Sequence, residues 1–282
     1  MRPSAPMPWV PRTAWVHKHA PTLETGIVLA AVASFSLARF PRTTGGVLVA
    51  AAVWAVLTLA AVLIQRPRAI HLTLLAGLGA VLKLAAPKLW PGLVPWLAAL
   101  GLYLVVLHAW PALRVTADWA RRGSLDPGVW WLVLAVIPVA AAGLVLWAAA
   151  VGETGLSEGA RLAIRQTRAV PLWIVVPVGL LFACANAAVE EAFYRGVIMQ
   201  ALLGTVGTMP ALALQAVSFG LLHTEGIPSG PAGVTLTAGY GLLLGIIRLK
   251  AGGLLAPWLA HVLADLTIVA VIASYAAVSP QV

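Results

Sequence analysis

The chain has 282 residues, of which 61% are hydrophobic and 10% charged, with a net charge of +9 and a single cysteine, Cys184. Soluble globular chains carry roughly 25% charged residues, so this composition excludes that class and describes an integral membrane protein. One cysteine excludes an intramolecular disulfide framework and a multi-cysteine metal site, and without a Lys/Arg cluster interleaved with aromatics the positive excess reads as cytoplasmic loops facing anionic lipid rather than nucleic acid.

Residues 1–22, MRPSAPMPWVPRTAWVHKHAPT, are Pro-rich and cationic and lack the apolar core of a signal peptide. They read as a short tail or interfacial anchor, with Trp9 and Trp15 near the headgroups. A spanning helix needs about 20 mainly apolar residues. Candidates follow at 23–38, 45–64, 70–86, 92–110 and 129–150, separated by ARFPRT, QRPR, APKLWPG and PALRVTADWARRGSLDPG. Pro and Gly in these connectors break the helical ladder. His71, Lys83 and His108 read as interfacial or snorkelling residues. The role of 23–168 is not assigned by any motif. At its end VGETGLSEGARLAIRQTRAV, 151–170, is polar on one side and apolar on the other, as in an interfacial amphipathic helix.

From Pro171 to Gly204 nothing is strong enough to stop a helix. At about 1.5 Å per residue this run exceeds one bilayer crossing, so a kink or split is expected near Pro177 or around Ala185–Ala188. Apolar segments at 209–223, 233–250 and 252–278 complete the chain, with a Gly/Pro loop, TEGIPSGPAG, after the first. The expected fold is all-α, a polytopic membrane bundle of about eight transmembrane helices, with residues 169–282 as its core. Scarce lysine beside abundant alanine, arginine and tryptophan reads as a GC-rich bacterial genome, which makes the location a bacterial plasma membrane.

Beyond residue 170 the acids are Glu190, Glu191, Glu225 and Asp265, and the histidines are His223 and His261. All but Glu225 fall inside apolar segments, where ionisable groups are costly and mark function. They come at helical spacing. Glu191 and Arg195 are four apart and can pair as ions; Asn186 lies four before Glu190 and can hydrogen-bond it; Phe219–His223 and His261–Asp265 are each four apart. Taken singly each has a structural reading: a salt-bridged helix face, a hydrogen-bonding strut between helices, an imidazole oriented by its carboxylate. Cys184 reads as a small packing residue, and Tyr240 and Thr267 are equally open to packing or to hydrogen bonds in the pocket. Together the pairs supply a polar stripe on each of three helices, which would meet in one wet pocket.

Two carboxylates and two imidazoles suit hydrolysis by activated water. Glu190 would be the general base, His223 would position the water, and His261 would donate to the developing oxyanion. No GxSxG and no HExxH occurs, so serine hydrolase and classical zinc-protease signatures are both absent. Glu190, His223, His261 and Asp265 are also competent zinc ligands. A bound zinc ion and a metal-free carboxylate base both remain open on the residues alone.

The stretch EEAFYRG, Glu190–Gly196, resembles the EExxxR motif of the CPBP family of intramembrane proteases, the CAAX-processing and bacteriocin-processing enzymes. FGLLH, Phe219–His223, resembles that family's FxxxH motif, and HVLAD, His261–Asp265, its HxxxN/D motif. Order and spacing agree over roughly 170–278. The resemblance implies endoproteolysis near a substrate's C-terminus, with Glu190 as base, His223 at the water, and His261 with residue 265 at the oxyanion. Glu191 and Arg195 would be a supporting ion pair, with Phe219 and Asn186 as further supports. The prenyl-protein enzymes carry Asn at the last motif position, where this chain has Asp265. An ionised Asp cannot donate to an oxyanion, so Asp265 is protonated, orients His261, or binds metal. The implied partners are a membrane-associated polypeptide substrate and membrane lipid. Two other classes fit intramembrane acids and histidines: a non-catalytic immunity or scaffold protein of the same fold, and a proton-coupled transporter. Apart from Glu24 at the start of the 23–38 span, the expected spans of the first half carry no acids, which argues against the transporter.

Overall fold

The computed structural model describes residues 14–37, 43–86, 93–151, 156–224 and 226–278. Trp9, Glu225 and much of the connectors ARFPRT and APKLWPG lie outside the described residues. Helices α1 (Ala14–Leu37), α2 (Thr44–Leu63), α3 (Pro67–Ala85), α4 (Leu93–Ala109), a short α5 (Pro111–Arg114) and α6 (Pro127–Val151) come first. They are followed by α7 (Glu158–Arg168), α8 (Leu172–Glu191), a π-helical stretch Ala192–Ile198, α9 (Met199–Leu203), α10 (Thr208–Leu222), α11 (Gly230–Ala251) and α12 (Leu255–Val278). Among the described residues seven helical segments are long and apolar enough to cross a membrane, and Leu93–Ala109 and Thr208–Leu222 are shorter apolar helices. The protein is an all-α, polytopic, integral membrane bundle.

Three expectations are corrected. The first helix begins at Ala14, not at residue 23, so the second part of the cationic segment is helical. The long run after Pro171 is continuous through Pro177 and Ala185–Ala188, and its irregularity falls at Ala192–Ile198. Pro177 lies inside α8, beyond its first turn, so it forgoes one backbone hydrogen bond without ending the helix. Third, His71 is buried inside the protein and does not snorkel to its surface, whereas Lys83 and His108 are exposed. Tyr103 Oη lies 2.6 Å from His71 Nδ1 and accepts from Trp119 Nε1 at 3.0 Å, while Thr116 Oγ1 lies 2.9 Å from His71 Nε2. Thr116 donates its own proton to the Leu113 carbonyl, so Nε2–H donates to Thr116 and Tyr103 donates to Nδ1. A buried imidazole is tolerable here because both nitrogens are satisfied. The expected amphipathic helix is present as α7, with Ser157 capping it by accepting from the Ala160 N–H.

The chain divides into two compact units, Met1–Ala120 with Ala192–Ala211, and Arg121–Glu191 with Leu212–Val282. In the first, α3 packs on α1, α2 and α4. Phe193 of the EEAFYRG stretch stacks on Phe35 at 5.9 Å and meets Trp96 edge-on at 4.8 Å.

In the second, α12 is the axis, packed on α6, α7, α8 and α11. Ala256, Ala260 and Ala264, four apart, form one small-residue stripe against Val129, Val133 and Val136 of α6 and Leu244 and Ile247 of α11. Small residues let membrane helices approach closely, where packing rather than water exclusion holds them. On α8 the same device is Gly179, whose added Cβ would lie 2.7 Å from Val269 Cγ1. The start of α12 is tied down by the loop that leads into α6, since Leu254 and Leu255 N–H donate to the Arg121 and Arg122 carbonyls and Ser124 N–H to that of Ala251. Gly123 makes that junction possible. Its φ is +78°, and a Cβ there would lie 2.5 Å from the Ala251 carbonyl oxygen. Gly123→Ala should therefore lower stability by about 1–3 kcal/mol, read as a drop in thermal midpoint of the detergent-solubilised protein.

Candidate active site

The two acids of the EEAFYRG stretch occupy the last turn of α8, the Phe219–His223 pair ends α10, and His261 and Asp265 lie in the first half of α12. Trp258 Nε1 donates to the Cys184 carbonyl at 3.1 Å, setting α12 against α8 about one turn before His261. Around His261 the geometry is specific. Its Nδ1 lies 2.7 Å from Glu191 Oε1. Its Nε2 lies 3.5 Å from Glu190 Oε2 and 3.7 Å from Asp265 Oδ1. A carboxylate only accepts, so Nδ1–H donates to Glu191 and the tautomer is set. One imidazole thus faces three carboxyl groups, two of them from α8. Glu191 is 1% and His261 3% exposed, so their contact is shielded from water.

Asn186, one turn before Glu190, donates from Nδ2 to Asp265 Oδ2 at 3.1 Å. The expected partner was Glu190; the bond the structure shows runs across to α12 instead. His223 Nδ1 lies 3.2 Å from the Phe219 carbonyl, one turn earlier. A carbonyl cannot donate, so Nδ1 carries the proton, and in the neutral ring Nε2 is an acceptor. The Phe219 ring stands between the two imidazoles, 5.2 Å from His223 and 5.9 Å from His261, nearly perpendicular to the latter. Tyr240 closes the other side of His261 at 5.8 Å, edge-on, its hydroxyl donating to the Ala260 carbonyl. Cys184 packs with Ala183, Ala187 and Val262, and the Thr267 hydroxyl returns to the Leu263 carbonyl.

A cavity of about 330 Å³ opens onto this group. His223, His261 and Asp265 stand at its polar end, and Val139, Leu144, Leu236 and Leu243 are among the apolar side chains that line the rest. Among the described residues no group of three or more His, Cys, Asp or Glu side chains is arranged to hold a metal ion, and no chemical step is assigned to one.

The motif residues of α8, α10 and α12 are therefore brought together. Arg195 is 1% exposed and belongs to the other compact unit, with its guanidinium 5.9 Å from the Tyr194 ring. Sequence reasoning missed two features. Glu191 touches the imidazole directly, although its spacing from Arg195 pointed only along its own helix. Gln215 was not singled out at all. It is fully buried and donates from Nε2 to the Gly241 carbonyl of α11 at 2.9 Å. Gln215, Phe219 and His223 repeat every four residues, a stripe that the apolar pattern of α10 already contained.

Polar residues of α8 and α12 thus meet at one buried imidazole, with His223 of α10 beside the same apolar cavity. Residues 171–267 match the family model described as type II CAAX prenyl endopeptidase Rce1-like. That segment is the one whose EExxxR, FxxxH and HxxxD motifs resemble the CPBP/CAAX proteases, and over it the chain is similar to that family. No curated protein and no solved structure matches the chain.

Removing the Asn186 amide should free Asp265 Oδ2 while leaving α8 packed. Asn186→Ala is expected to cost about 1–3 kcal/mol in thermal unfolding through the unmet buried acceptor. Asn186→Asp, which sets a carboxyl against a carboxyl, should cost more.

Proposed function

We propose that the protein is an intramembrane endopeptidase that hydrolyses a peptide bond near the C-terminus of a membrane-associated protein or peptide. The observation that carries this reading is the placement of Glu191, Glu190 and Asp265 at 2.7, 3.5 and 3.7 Å from one buried imidazole at the mouth of an apolar cavity. A purely structural salt bridge needs one carboxylate and no cavity. The scarce lysine supports a bacterial plasma membrane as the setting.

In this mechanism Glu190 is the general base. Its carboxylate takes a proton from water as the oxygen adds to the scissile carbonyl carbon. His223, with Nδ1–H committed to the Phe219 carbonyl, offers Nε2 to the second hydrogen of that water and fixes its direction. His261, its Nδ1–H on Glu191, acts in its protonated form and gives Nε2–H to the oxyanion. Glu190 then passes its proton to the leaving nitrogen as the C–N bond breaks, so water is divided between the two products. Asp265, its Oδ2 engaged by Asn186, serves as the carboxylate that orients His261 rather than as an oxyanion donor. The apolar cavity receives an apolar side chain or a lipid-like group carried by the substrate next to the cut bond.

The test is cleavage of a C-terminal peptide library by the full chain in detergent, beside Glu190→Gln, with elemental analysis and chelator. The variant should keep its fold and lose about 10²- to 10⁴-fold in rate, while wild-type cleavage persists in chelator. Retained cleavage by Glu190→Gln would sink the assignment. Stoichiometric zinc with chelator-sensitive cleavage would instead make Glu190, His223, His261 and Asp265 its ligands. Proteoliposome flux without cleavage would turn the reading to a transporter. A full chain that neither cleaves nor transports would turn it to a non-catalytic scaffold.

A further inference from the structure

Val133 and Val136 of α6 pack with Leu244 and Ile247 of α11 in one apolar core. Further along, at Val139 and Gly143 on α6 and Leu236 and Gly239 on α11, the same two helices wall the cavity beside His261. Val139 is 54% and Leu236 37% exposed, so this part of the wall reaches the surface. Val139 stands near the middle of the 25-residue α6, a depth at which the surroundings are hydrocarbon. Gly239 sits in that opening, lining the cavity and itself exposed. A Cβ added there would meet nothing within 4 Å, whereas on Gly233 and Gly245 of the same helix it would run into Pro228 and into Gln215 and Leu212. Its φ is not left-handed. Close helix packing and special backbone geometry, the usual reasons for a glycine inside a helix, therefore do not account for it. The side chain it lacks is room in the cavity. Gly143, across on α6, is nearly as open: its added Cβ would have Leu236 Cδ2 at 3.8 Å, an ordinary contact.

We propose that Gly239 is a specificity-determining residue: it sets how large an apolar side chain, on the substrate residue next to the cut bond, the cavity admits. The occupant follows from the two ends of the cavity. One end carries His223, His261 and Asp265, so whatever fills the rest lies next to the groups that would act on the peptide. Along α11 the polar side chains are committed elsewhere. Thr235 and Thr237 donate to the Pro231 and Gly233 carbonyls of their own helix, and Tyr240 to that of Ala260. At about 330 Å³ the space is at the small end of ligand pockets, which run from about 300 to 1,000 Å³. That suits one bulky side chain and is short for a two-chain lipid. The substrate role rests on the proteolytic reading above; the size limit itself does not.

Two experiments on the full chain in detergent test this. The first needs no cleavage. The protein is irradiated with N-acetyl-p-benzoylphenylalanine methylamide, a capped bulky side chain, and adducts are mapped by mass spectrometry. Leu144 and Ala264, each 6% exposed, line the cavity and report its inside. They should be labelled in wild type and spared in Gly239→Leu. Gly101→Leu, at an equally open glycine of α4, should label as wild type. The second compares C-terminal peptides that differ only in carrying Ala or Trp beside the cut bond. Gly239→Leu should lower the Trp-to-Ala ratio of kcat/KM by about 10- to 200-fold, the discrimination that small changes of apolar bulk produce in a pocket. Gly239→Ala should lower it less, and Gly101→Leu not at all. Absent labelling of wild type, equal labelling of folded Gly239→Leu, or an unmoved ratio overturns the proposal. Labelling that added phospholipid abolishes would assign the space to a lipid chain and overturn it too. If Gly239→Leu does not fold, an unmoved ratio in Gly239→Ala overturns the proposal and a lowered one supports it. Labelling lost in Gly239→Leu without cleavage of any peptide would fail the proteolytic reading and leave the size limit in place. Cleavage with an unmoved ratio would do the reverse.

Discussion

The rest of the site depends on one imidazole buried among carboxyl groups. In an apolar helix bundle a carboxylate is costly unless a donor meets it, and His261 meets Glu191 at 2.7 Å with Glu190 and Asp265 close by. The reverse also holds, since the imidazole has fixed donor directions only because Glu191 takes Nδ1–H. Neither helix could carry its polar group alone. The burial of α8 and α12 against one another is therefore a condition for this arrangement of polar groups. Small residues permit that approach, Gly179 on α8 and the Ala256–Ala260–Ala264 stripe on α12, and the Trp258 bond to the Cys184 carbonyl sets the height.

The EEAFYRG stretch has two structural duties. Glu190 and Glu191 end a regular α-helix and serve the imidazole. The next seven residues, all buried, adopt the wider π-helical hydrogen bonding and belong to the first compact unit. There Phe193 sits against Phe35 and Trp96. π-helical turns cluster at functional sites because they re-aim side chains without ending the helix. The motif-free first half thereby acquires a physical role, as an aromatic bed for the residues that follow the two acids.

The aromatic residues near His261 matter for a related reason. Phe219 and Tyr240 present ring edges within 6 Å of the imidazole, so the ring is held by packing on the sides where no hydrogen bond acts. The Tyr240 hydroxyl donates to the Ala260 carbonyl. The imidazole is thus restrained both by its hydrogen bond to Glu191 and by ring packing.

Glu190, His223, His261 and Asp265 were legible in the sequence because a polar residue inside an apolar helix carries information that the same residue on a soluble surface does not. Their i, i+4 spacing is a property of one helix and is written along the chain, as is the length of each span. What crosses from helix to helix is not so written. Asn186 turns to Asp265 rather than to Glu190, Glu191 reaches His261, and His71 is buried beneath Tyr103 and Thr116. Each depends on the rotation and depth of a helix, which packing decides and periodicity does not. The sequence by itself determined an all-α membrane protein with its acids and histidines on three helices of the second half. Only the tertiary structure decided which carboxylate meets which nitrogen and where the long helix widens, because those follow from close contact between segments far apart in the chain.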